Sequence, residues 1–125
     1  MRLLLDSHVL LRLDHNPPLL PSAELEVIAD KSNEVFVSAA TAWELGIKQM
    51  KGKLKLSRSI SEQRAGFGFL ELPISFAHAE QAASLALLHG DPFDRMLVAQ
   101  AMVEGLVLVT ADRKLPGYPV AVLQV

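Results

Sequence analysis

Five short apolar runs rich in β-favouring residues constrain the fold of this chain more than any other feature. The runs are nearly continuous in apolar character rather than alternating, as expected for strands buried on both faces of a sheet. Segments with helical signals separate most of them, which is typical of a parallel sheet covered by helices. We therefore predict a three-layer α/β/α fold with a central, mainly parallel sheet. Its five predicted strands are residues 2–5, 34–37, 70–74, 106–109 and 120–123.

The chain is predicted to form one domain over residues 1–125. Half of its 125 residues are apolar, enough for one hydrophobic core and too few for two. The absence of cysteine excludes disulfides and thiolate metal sites and fits a reducing compartment. The apolar N-terminal run is interrupted by Asp6 before it reaches the length of a signal peptide or membrane span. We therefore expect a cytoplasmic protein that does not enter the membrane.

Start and stop signals delimit the helices between these strands. Asp91 and Pro92 are typical of the cap and first position of a helix, and this helix should end at Gly105. Ser59 and Glu62 form a capping-box pattern at the start of another. Further helices are predicted after Ser22, across residues 42–51 up to Gly52, and across residues 76–89 after Ser75.

Four acidic residues are predicted to meet at one edge of the sheet. In open parallel sheets, ligands bind outside the carboxyl ends of the strands. Asp6 follows the first predicted strand, and Asp112 follows the fourth. Asp94 lies in the first turn of the helix that leads into the fourth strand, and Glu44 lies early in the helix after the second. Four acids from distant parts of the chain are therefore expected at this edge.

Such a group of carboxylates indicates a metal site. Carboxylates in one cleft repel each other unless a cation neutralises them. An oxygen-only donor set without Cys or His ligands favours a hard divalent ion, Mg²⁺ or Mn²⁺. A bound ion of this kind lowers the pKa of water, holds a phosphate oxygen and stabilises a leaving oxygen. The pattern therefore predicts metal-dependent hydrolysis of phosphodiester bonds.

Each acid also has a purely structural interpretation. Asp6 fits the cap of a following helix, and Glu44 fits a capping box with Thr41. Asp94 is favoured by the dipole of its helix, and Asp112 fits a turn. Taken singly, these structural roles are the commoner explanation, but capping does not require four acids at one edge of a sheet.

The net charge of −2 conceals a basic stretch. Residues 48–64 carry a net charge of +5, which leaves −7 for the rest of the chain. This stretch fits either a solvated helix end and loop or a track for an RNA backbone, with Arg95 as a further cation near the acids.

Trp43 is interpreted as a core residue. The four histidines show no metal-ligand spacing and are interpreted as surface or internally hydrogen-bonded residues.

These motifs resemble the PIN-domain ribonucleases, specifically the VapC-like toxins of bacterial and archaeal toxin–antitoxin pairs. The resemblance spans nearly the whole chain, and its most specific part is DPFDR followed by T-x-D. Close relatives commonly have aromatic residues where this chain has Leu11 and Arg12. The matching stretches are LLLDSHVLL at 3–11, VSAATAWELGIKQMKGKL at 37–54, LPISFAHA at 72–79, HGDPFDRMLVAQAMVEGLVLVTAD at 89–112 and YPV at 118–120.

The resemblance implies a PIN-like fold and an endoribonuclease that uses Mg²⁺ or Mn²⁺. It also implies a homodimer that is silenced by a cognate antitoxin inserted into the acidic site. In this hypothesis Asp6, Glu44 and Asp94 anchor the metal, and Asp112 completes the charge or holds a second ion. The positions that match the family's site are Asp6, Glu44, Asp94 and Asp112, with Ser7 and Thr110 as the adjacent hydroxyls and Asp91 as a neighbour of open role.

Two other functions are weighed against this hypothesis. A haloacid-type phosphatase or a phospho-accepting receiver also has an aspartate after its first strand. This chain, however, has His8 where the phosphatase needs a second aspartate, and it offers the receiver no late lysine beyond Lys114. The other function is that of a PIN-like domain acting as a non-catalytic RNA- or protein-binding module.

Overall fold

The central sheet has five strands, all parallel to their neighbours. The computed structural model describes residues 1–86 and 90–125. Its strands are β1 (Arg2–Leu5), β2 (Glu34–Ser38), β3 (Leu70–Leu72), β4 (Val107–Thr110) and β5 (Val122–Gln124). They pair in the order β3-β2-β1-β4-β5. Every predicted strand is present, although β3 and β5 are shorter than predicted.

Six α-helices lie between the strands in the part of the chain that the structure describes. They are α1 (Ser7–Asp14), α2 (Ser22–Ala29), α3 (Ala39–Met50), α4 (Ile60–Phe67), α5 (Phe76–Ser84) and α6 (Pro92–Glu104). A single 3₁₀ turn at Leu115–Gly117 precedes β5. Among the described residues, none of these helices has the length and apolar character needed to cross a membrane.

The central strand β1 explains why the apolar runs do not alternate. Leu3, Leu4 and Leu5 are all fully buried. Leu3 and Leu5 belong to a core with α1 and α2, whereas Leu4 belongs to a second core with α6. Because successive side chains of a strand point to opposite faces, β1 is covered on both sides. The predicted three-layer α/β/α fold is confirmed.

The caps of α6 and α4 are confirmed. The Asp91 side chain accepts hydrogen bonds from the backbone N–H groups of Phe93 (2.8 Å) and Asp94 (3.3 Å). Gly105 ends α6 with φ of 67°, in the left-handed region that glycine adopts readily. The capping box that begins α4 is present as well.

The predicted start of α3 is wrong. Ser38 caps this helix through its hydroxyl, which accepts from the N–H of Ala40 at 3.0 Å. Thr41 therefore lies inside α3 and forms no capping box with Glu44. The cause is that β2 runs directly into α3, so the hydroxyl that ends the strand also caps the helix.

Two other helix ends differ from the predictions. The cap of α2 is Pro21, so Ser22 is the first helical residue. Helix α5 ends at Ser84, before the predicted end, and the last part of that prediction, residues 87–89, lies outside the described residues. Short helices commonly shift by a residue or two at their ends, and neither difference affects the sheet.

The interpretation of the histidines is confirmed for the three that the structure describes. His78 is buried, its Nδ1 accepts from the N–H of Ser75 at 3.0 Å, and its Nε2 lies 2.8 Å from a carboxylate oxygen of Glu104. His8 and His15 are exposed. His89 lies outside the described residues.

Candidate active site

Asp6 lies at the carboxyl end of β1 and is 3% exposed. It is the N-cap of α1, and its Oδ1 accepts from the N–H of Val9 at 2.9 Å. Its Oδ2 accepts a hydrogen bond from the hydroxyl of Thr110 at the end of β4. Its own N–H donates to the carbonyl oxygen of Val109 at 3.0 Å. Asp6 is thus both a helix cap and the link between the ends of two neighbouring strands.

Burial raises the pKa of Asp6 above its ordinary value of 3.8. Hydrogen bonds from Thr110 and from the N–H of Val9 act in the opposite direction, as does the nearby His8. Desolvation is the largest of these effects because the charged carboxylate loses its hydration. The ionised form of Asp6 is therefore costly in the absence of a bound cation.

Glu44 is linked to the start of α1 by a hydrogen bond with Ser7. Glu44 lies on α3 and is 6% exposed. Its Oε1 accepts a hydrogen bond from the hydroxyl of Ser7, and its Oε2 forms an ion pair with Lys48 Nζ at 3.2 Å. Ser7 directly follows Asp6 in the chain. The buried carboxylates of β1 and α3 are therefore connected by one serine.

Asp112 is connected to Asp6 from the other side. The N–H of Asp112 donates to the Thr110 hydroxyl oxygen at 2.9 Å, and that hydroxyl donates to Asp6. Asp112 Oδ1 accepts from the N–H of Lys114 at 2.9 Å. We call Asp6, Glu44 and Asp112, with the bridging Ser7 and Thr110, the acid cluster.

Asp94 lies in the first turn of α6, and the neighbouring residues Pro92 and Phe93 line a groove together with Glu44 of α3. Phe93, which precedes Asp94, packs edge to face against Trp43, which precedes Glu44; the ring centroids are 5.2 Å apart. Asp94 is half-buried, and its N–H donates to Asp91. The contact between the two aromatic rings places the N-terminal turn of α6 next to the turn of α3 that belongs to the acid cluster.

The donor chemistry of these residues fits a hard divalent cation, since all the side-chain donors are carboxylate and hydroxyl oxygens. Desolvation of Asp6 adds to this fit because a cation would stabilise its ionised form. On the same buried face of α3 as Glu44, the hydroxyl of Thr41 has no hydrogen-bond partner within the described residues. Among the same residues, however, no three acidic or histidine side chains are close enough together to form a ready metal centre.

Trp43 is not a core residue, and this prediction is wrong. Its side chain is 64% exposed. The buried positions of α3 are Ala40, Thr41, Glu44 and Leu45, so Trp43 lies beside that face. The buried residues recur four positions apart, as residues on one helix face do, and Trp43 is outside that repeat.

Arg95 is not available to hold RNA as predicted. Its Nη1 donates to the carbonyl oxygen of Ala86 at 2.9 Å, and its Nη2 donates to those of Ala82 (3.0 Å) and Leu85 (2.9 Å). The guanidinium thus binds the carboxyl end of α5, where helix carbonyls have no intrahelical partners. Arg95 joins α5 to α6.

Substitution Arg95→Met is therefore expected to lower the free energy of unfolding by about 1–3 kcal/mol, the usual cost of removing hydrogen bonds from a charged donor. RNA affinity should not change. Urea denaturation monitored by circular dichroism measures the first quantity, with the exposed Arg113→Met as the matched control. A stable variant with weakened RNA binding would contradict this assignment.

The basic stretch at residues 48–64 divides into two parts. Arg58 forms an ion pair with Asp14 at 2.5 Å, and Arg64 donates to the carbonyl oxygen of Phe69 at 2.7 Å. These arginines have structural roles. By contrast, Lys51 and Lys53 are exposed and line a groove of about 290 Å³ together with Glu44 and Phe93.

A larger cavity lies away from the acid cluster. It has a volume of about 580 Å³ and an apolar lining that includes Ile28, Val35 and Phe69. Its position beside Asn33 and Val35 places it near the start of β2, whereas the acid cluster lies at the carboxyl ends of the strands. None of the four predicted acids lines it.

The domain has three layers and an all-parallel sheet, and it carries carboxylates at the carboxyl ends of its strands. These features define the class of α/β proteins that bind ligands at the carboxyl edge of the sheet. The chain belongs to the PIN domain family, whose model matches residues 3–120. Comparison with curated protein sequences gives no significant match.

Solved structures share this fold over their whole length. VapBC2 from Rickettsia felis, bound to a DNA fragment from its promoter, matches with a TM-score of 0.70 and 16% identity over 100% of this chain and 99% of that chain. VapBC-1 from nontypeable Haemophilus influenzae matches with a TM-score of 0.67 and 16% identity, over 99% of this chain and 98% of that chain. FitAcB from Neisseria gonorrhoeae matches with a TM-score of 0.60 and 24% identity, over 98% of this chain and 96% of that chain. At these identities the likeness establishes the fold.

Proposed function

We propose that this protein is a metal-dependent endoribonuclease and the toxin of a toxin–antitoxin pair. The observation that carries the proposal is the acid cluster at the carboxyl ends of the strands, where hydroxyl groups bind the carboxylates of Asp6 and Glu44, and the N–H of Asp112 binds the same Thr110 hydroxyl as Asp6. Membership of the PIN domain family and the likeness of the fold to VapBC proteins support it.

In this proposal Asp6, Glu44, Asp94 and Asp112 hold Mg²⁺ or Mn²⁺. When bound, the ion supplies a lowered pKa for water and charge stabilisation at a phosphate. Ser7 and Thr110 orient the carboxylates of Glu44 and Asp6 by donating hydrogen bonds to them. Such bonds fix the direction in which a carboxylate presents its remaining lone pairs.

The proposed partners are an RNA substrate, a cognate antitoxin protein and a second copy of this chain. The support is the set of similar structures, which includes VapBC and FitAcB proteins. We also propose a cytoplasmic location, because an RNA substrate and a cognate antitoxin would both be found in the cytoplasm.

An RNA-cleavage assay tests the proposal. The purified protein is incubated with end-labelled RNA in Mg²⁺, in Mn²⁺ and in EDTA. Internal cleavage in either metal and none in EDTA are expected, because carboxylates alone do not supply a Lewis acid. Equal cleavage in EDTA would overturn the metal dependence.

The alternative is a PIN domain that binds RNA or protein without catalysis. It is favoured by the finding that no three acids among the described residues are close enough together to hold a metal. Titration calorimetry with Mn²⁺ distinguishes the two functions. The absence of both Mn²⁺ binding and cleavage would favour the binding module.

A further inference from the structure

The groove of about 290 Å³ between α3 and α6 opens beside the acid cluster. We call it the α3–α6 groove; Glu44 from the acid cluster lines it, as does Phe93 from the first turn of α6. Its volume is close to the lower limit for pockets that bind small ligands. A ligand in this groove would be in contact with one of the proposed catalytic acids.

The exposed Trp43, packed against the half-buried Phe93, borders this groove. Trp43 is 64% exposed and meets Phe93 edge to face, with 5.2 Å between ring centroids and 70° between ring planes. Each ring directly precedes a proposed catalytic acid, Glu44 or Asp94. Large exposed apolar groups with a polar rim are typical of binding sites. Trp43 is therefore an exposed ring next to the groove that Glu44 and Phe93 line.

Lysines form another wall of the groove. Lys48, Lys51 and Lys53 line it. Lys48 is paired with Glu44, whereas Lys51 and Lys53 are exposed in the turn that follows α3. This turn is closed by Gly52 with φ of 72°, a conformation that glycine adopts without strain. Positive charge next to exposed aromatic rings is complementary to a nucleotide, which presents a phosphate and an aromatic base together.

We infer that the α3–α6 groove binds one unpaired nucleotide of single-stranded RNA, with its base stacked on Trp43 and neighbouring phosphates held by Lys51 and Lys53. This inference rests on the proposed ribonuclease function and assigns the residues that would contact its substrate outside the acid cluster. Bases within an A-form duplex are stacked on each other and cannot reach an aromatic side chain, whereas unpaired bases can. Because any base can stack on an aromatic ring, the groove is expected to prefer single-stranded RNA over duplex RNA without distinguishing one base from another.

The single tryptophan of the chain provides a direct measurement. Wild-type protein in EDTA, where the proposed function predicts no cleavage, is titrated with a short single-stranded RNA and with the same sequence as a duplex. We expect the single strand to quench the fluorescence of Trp43 and to bind more tightly than the duplex. Equal affinity for the duplex, or binding of the single strand without any change in tryptophan fluorescence, would overturn the inference.

Substitutions at Trp43 separate stacking from packing. Trp43→Ala should weaken binding of a labelled single-stranded RNA roughly 5- to 100-fold, the usual effect of losing one base–aromatic contact, and Trp43→Phe should restore most of the affinity. The matched control is Phe76→Ala, which removes an 89% exposed aromatic ring from the start of α5, whereas Trp43 packs against Phe93 in the wall of the groove. Affinities are measured by fluorescence anisotropy in EDTA, so catalysis does not enter.

The lysines are tested by the salt dependence of binding. The double substitution Lys51→Ala and Lys53→Ala should reduce the slope of log affinity against log salt by about 1.4, since each phosphate contact on a single strand contributes about 0.7. The control is Lys31→Ala, at an exposed lysine next to the start of β2 and outside the groove. An unchanged slope in the double variant would remove the lysines from the inference.

The outcomes also distinguish this inference from the proposed function. Quenching and tight binding without cleavage in Mn²⁺ would refute the ribonuclease and leave the RNA-binding groove. Cleavage in Mn²⁺ with wild-type affinity in Trp43→Ala would refute the groove and leave the ribonuclease. If Trp43→Ala changes the molar mass measured by light scattering without changing RNA affinity, Trp43 contacts another copy of the chain and the inference is wrong.

Discussion

Asp6→Asn is expected to abolish metal-dependent RNA cleavage, with a loss of roughly 10³-fold or more, because several kilocalories per mole of charge stabilisation by the metal are lost. Asparagine has nearly the shape of aspartate and keeps an oxygen for the N–H of Val9, which now binds Oδ1 at 2.9 Å. The Thr110 hydroxyl can accept a hydrogen bond as well as donate one. The variant is therefore expected to remain folded.

The same variant should be more stable than the wild-type protein in EDTA. Asp6 is buried and desolvated, and relief of such a charge by about 1 kcal/mol would raise the Tm by about 3–6 °C in a domain of this size. Mn²⁺ should raise the Tm of the wild-type protein and have little effect on the variant, because a ligand stabilises only the folded state that binds it.

The stability gain should depend on pH. The raised pKa of Asp6 means that the folded state holds this proton more strongly than the unfolded chain. The free energy of unfolding therefore falls as the pH rises from about 3.8, the ordinary pKa, through the raised pKa, and it stays lower above that value. The difference in Tm between Asp6→Asn and wild type should be small at pH 4 and should grow with pH to a plateau above the raised pKa of Asp6.

Differential scanning fluorimetry at several pH values and the RNA-cleavage assay measure both effects. The control is Asp30→Asn, which changes an exposed carboxylate in the turn after α2. Hydrogen bonds from the backbone and side chain of Ser32 lower the pKa of Asp30, so this control should show no stability gain at neutral pH. Undiminished cleavage by Asp6→Asn would remove Asp6 from the site.

The sheet was predictable because many residues together produce the apolar pattern that indicates each strand. Burial on both faces requires every position of a central strand to be apolar, as at Leu3, Leu4 and Leu5, and this produces a continuous run in the sequence. The ends of α6 were predictable for a different reason. Asp91, Pro92 and Gly105 each satisfy a local backbone requirement that does not depend on the rest of the fold.

The register of α3 and the surroundings of the acids were less predictable. Ser38 ends a strand and caps a helix at once, and no single periodicity describes such a residue. The hydrogen bond from Ser7, next to Asp6, to Glu44 joins residues 37 positions apart, so local patterns do not contain it. Arg95 has the charge expected of an RNA ligand, and only its contacts with the end of α5 identify its structural role.

The neighbouring positions of Asp6 and Asp112 at one edge of the sheet were predictable. Parallel topology alone places the residues that follow β1 and β4 side by side, and Thr110 indeed joins Asp6 to Asp112. Topology does not fix side-chain rotamers. Whether the carboxylates close around a cation depends on interactions of about 1 kcal/mol each, which a pattern of residue types does not encode.

Glu44→Gln is expected to lower kcat for RNA cleavage by about 10²–10³-fold, the effect of removing a metal ligand or its orienting partner. The fold should be little affected. Glutamine keeps an oxygen that can accept from the hydroxyl of Ser7, which now binds Oε1. Because Thr41 and Glu44 form no capping box, no cap of α3 is lost either. The substitution does remove the ion pair with Lys48, and a partly exposed pair at this helical spacing contributes less than about 1 kcal/mol.

Lys48→Met separates the charge of Glu44 from its ion pair. It removes the same pair as Glu44→Gln but keeps the carboxylate. If Glu44 acts on the metal, Lys48→Met should retain kcat within about tenfold at saturating RNA, whereas Glu44→Gln should not. Steady-state cleavage in Mn²⁺, with Tm values measured on the same samples, decides between them. Equal losses in both variants would contradict a metal-binding role for Glu44. They would mean that activity depends on the ion pair itself, which both substitutions remove, and that the pair acts by positioning α3.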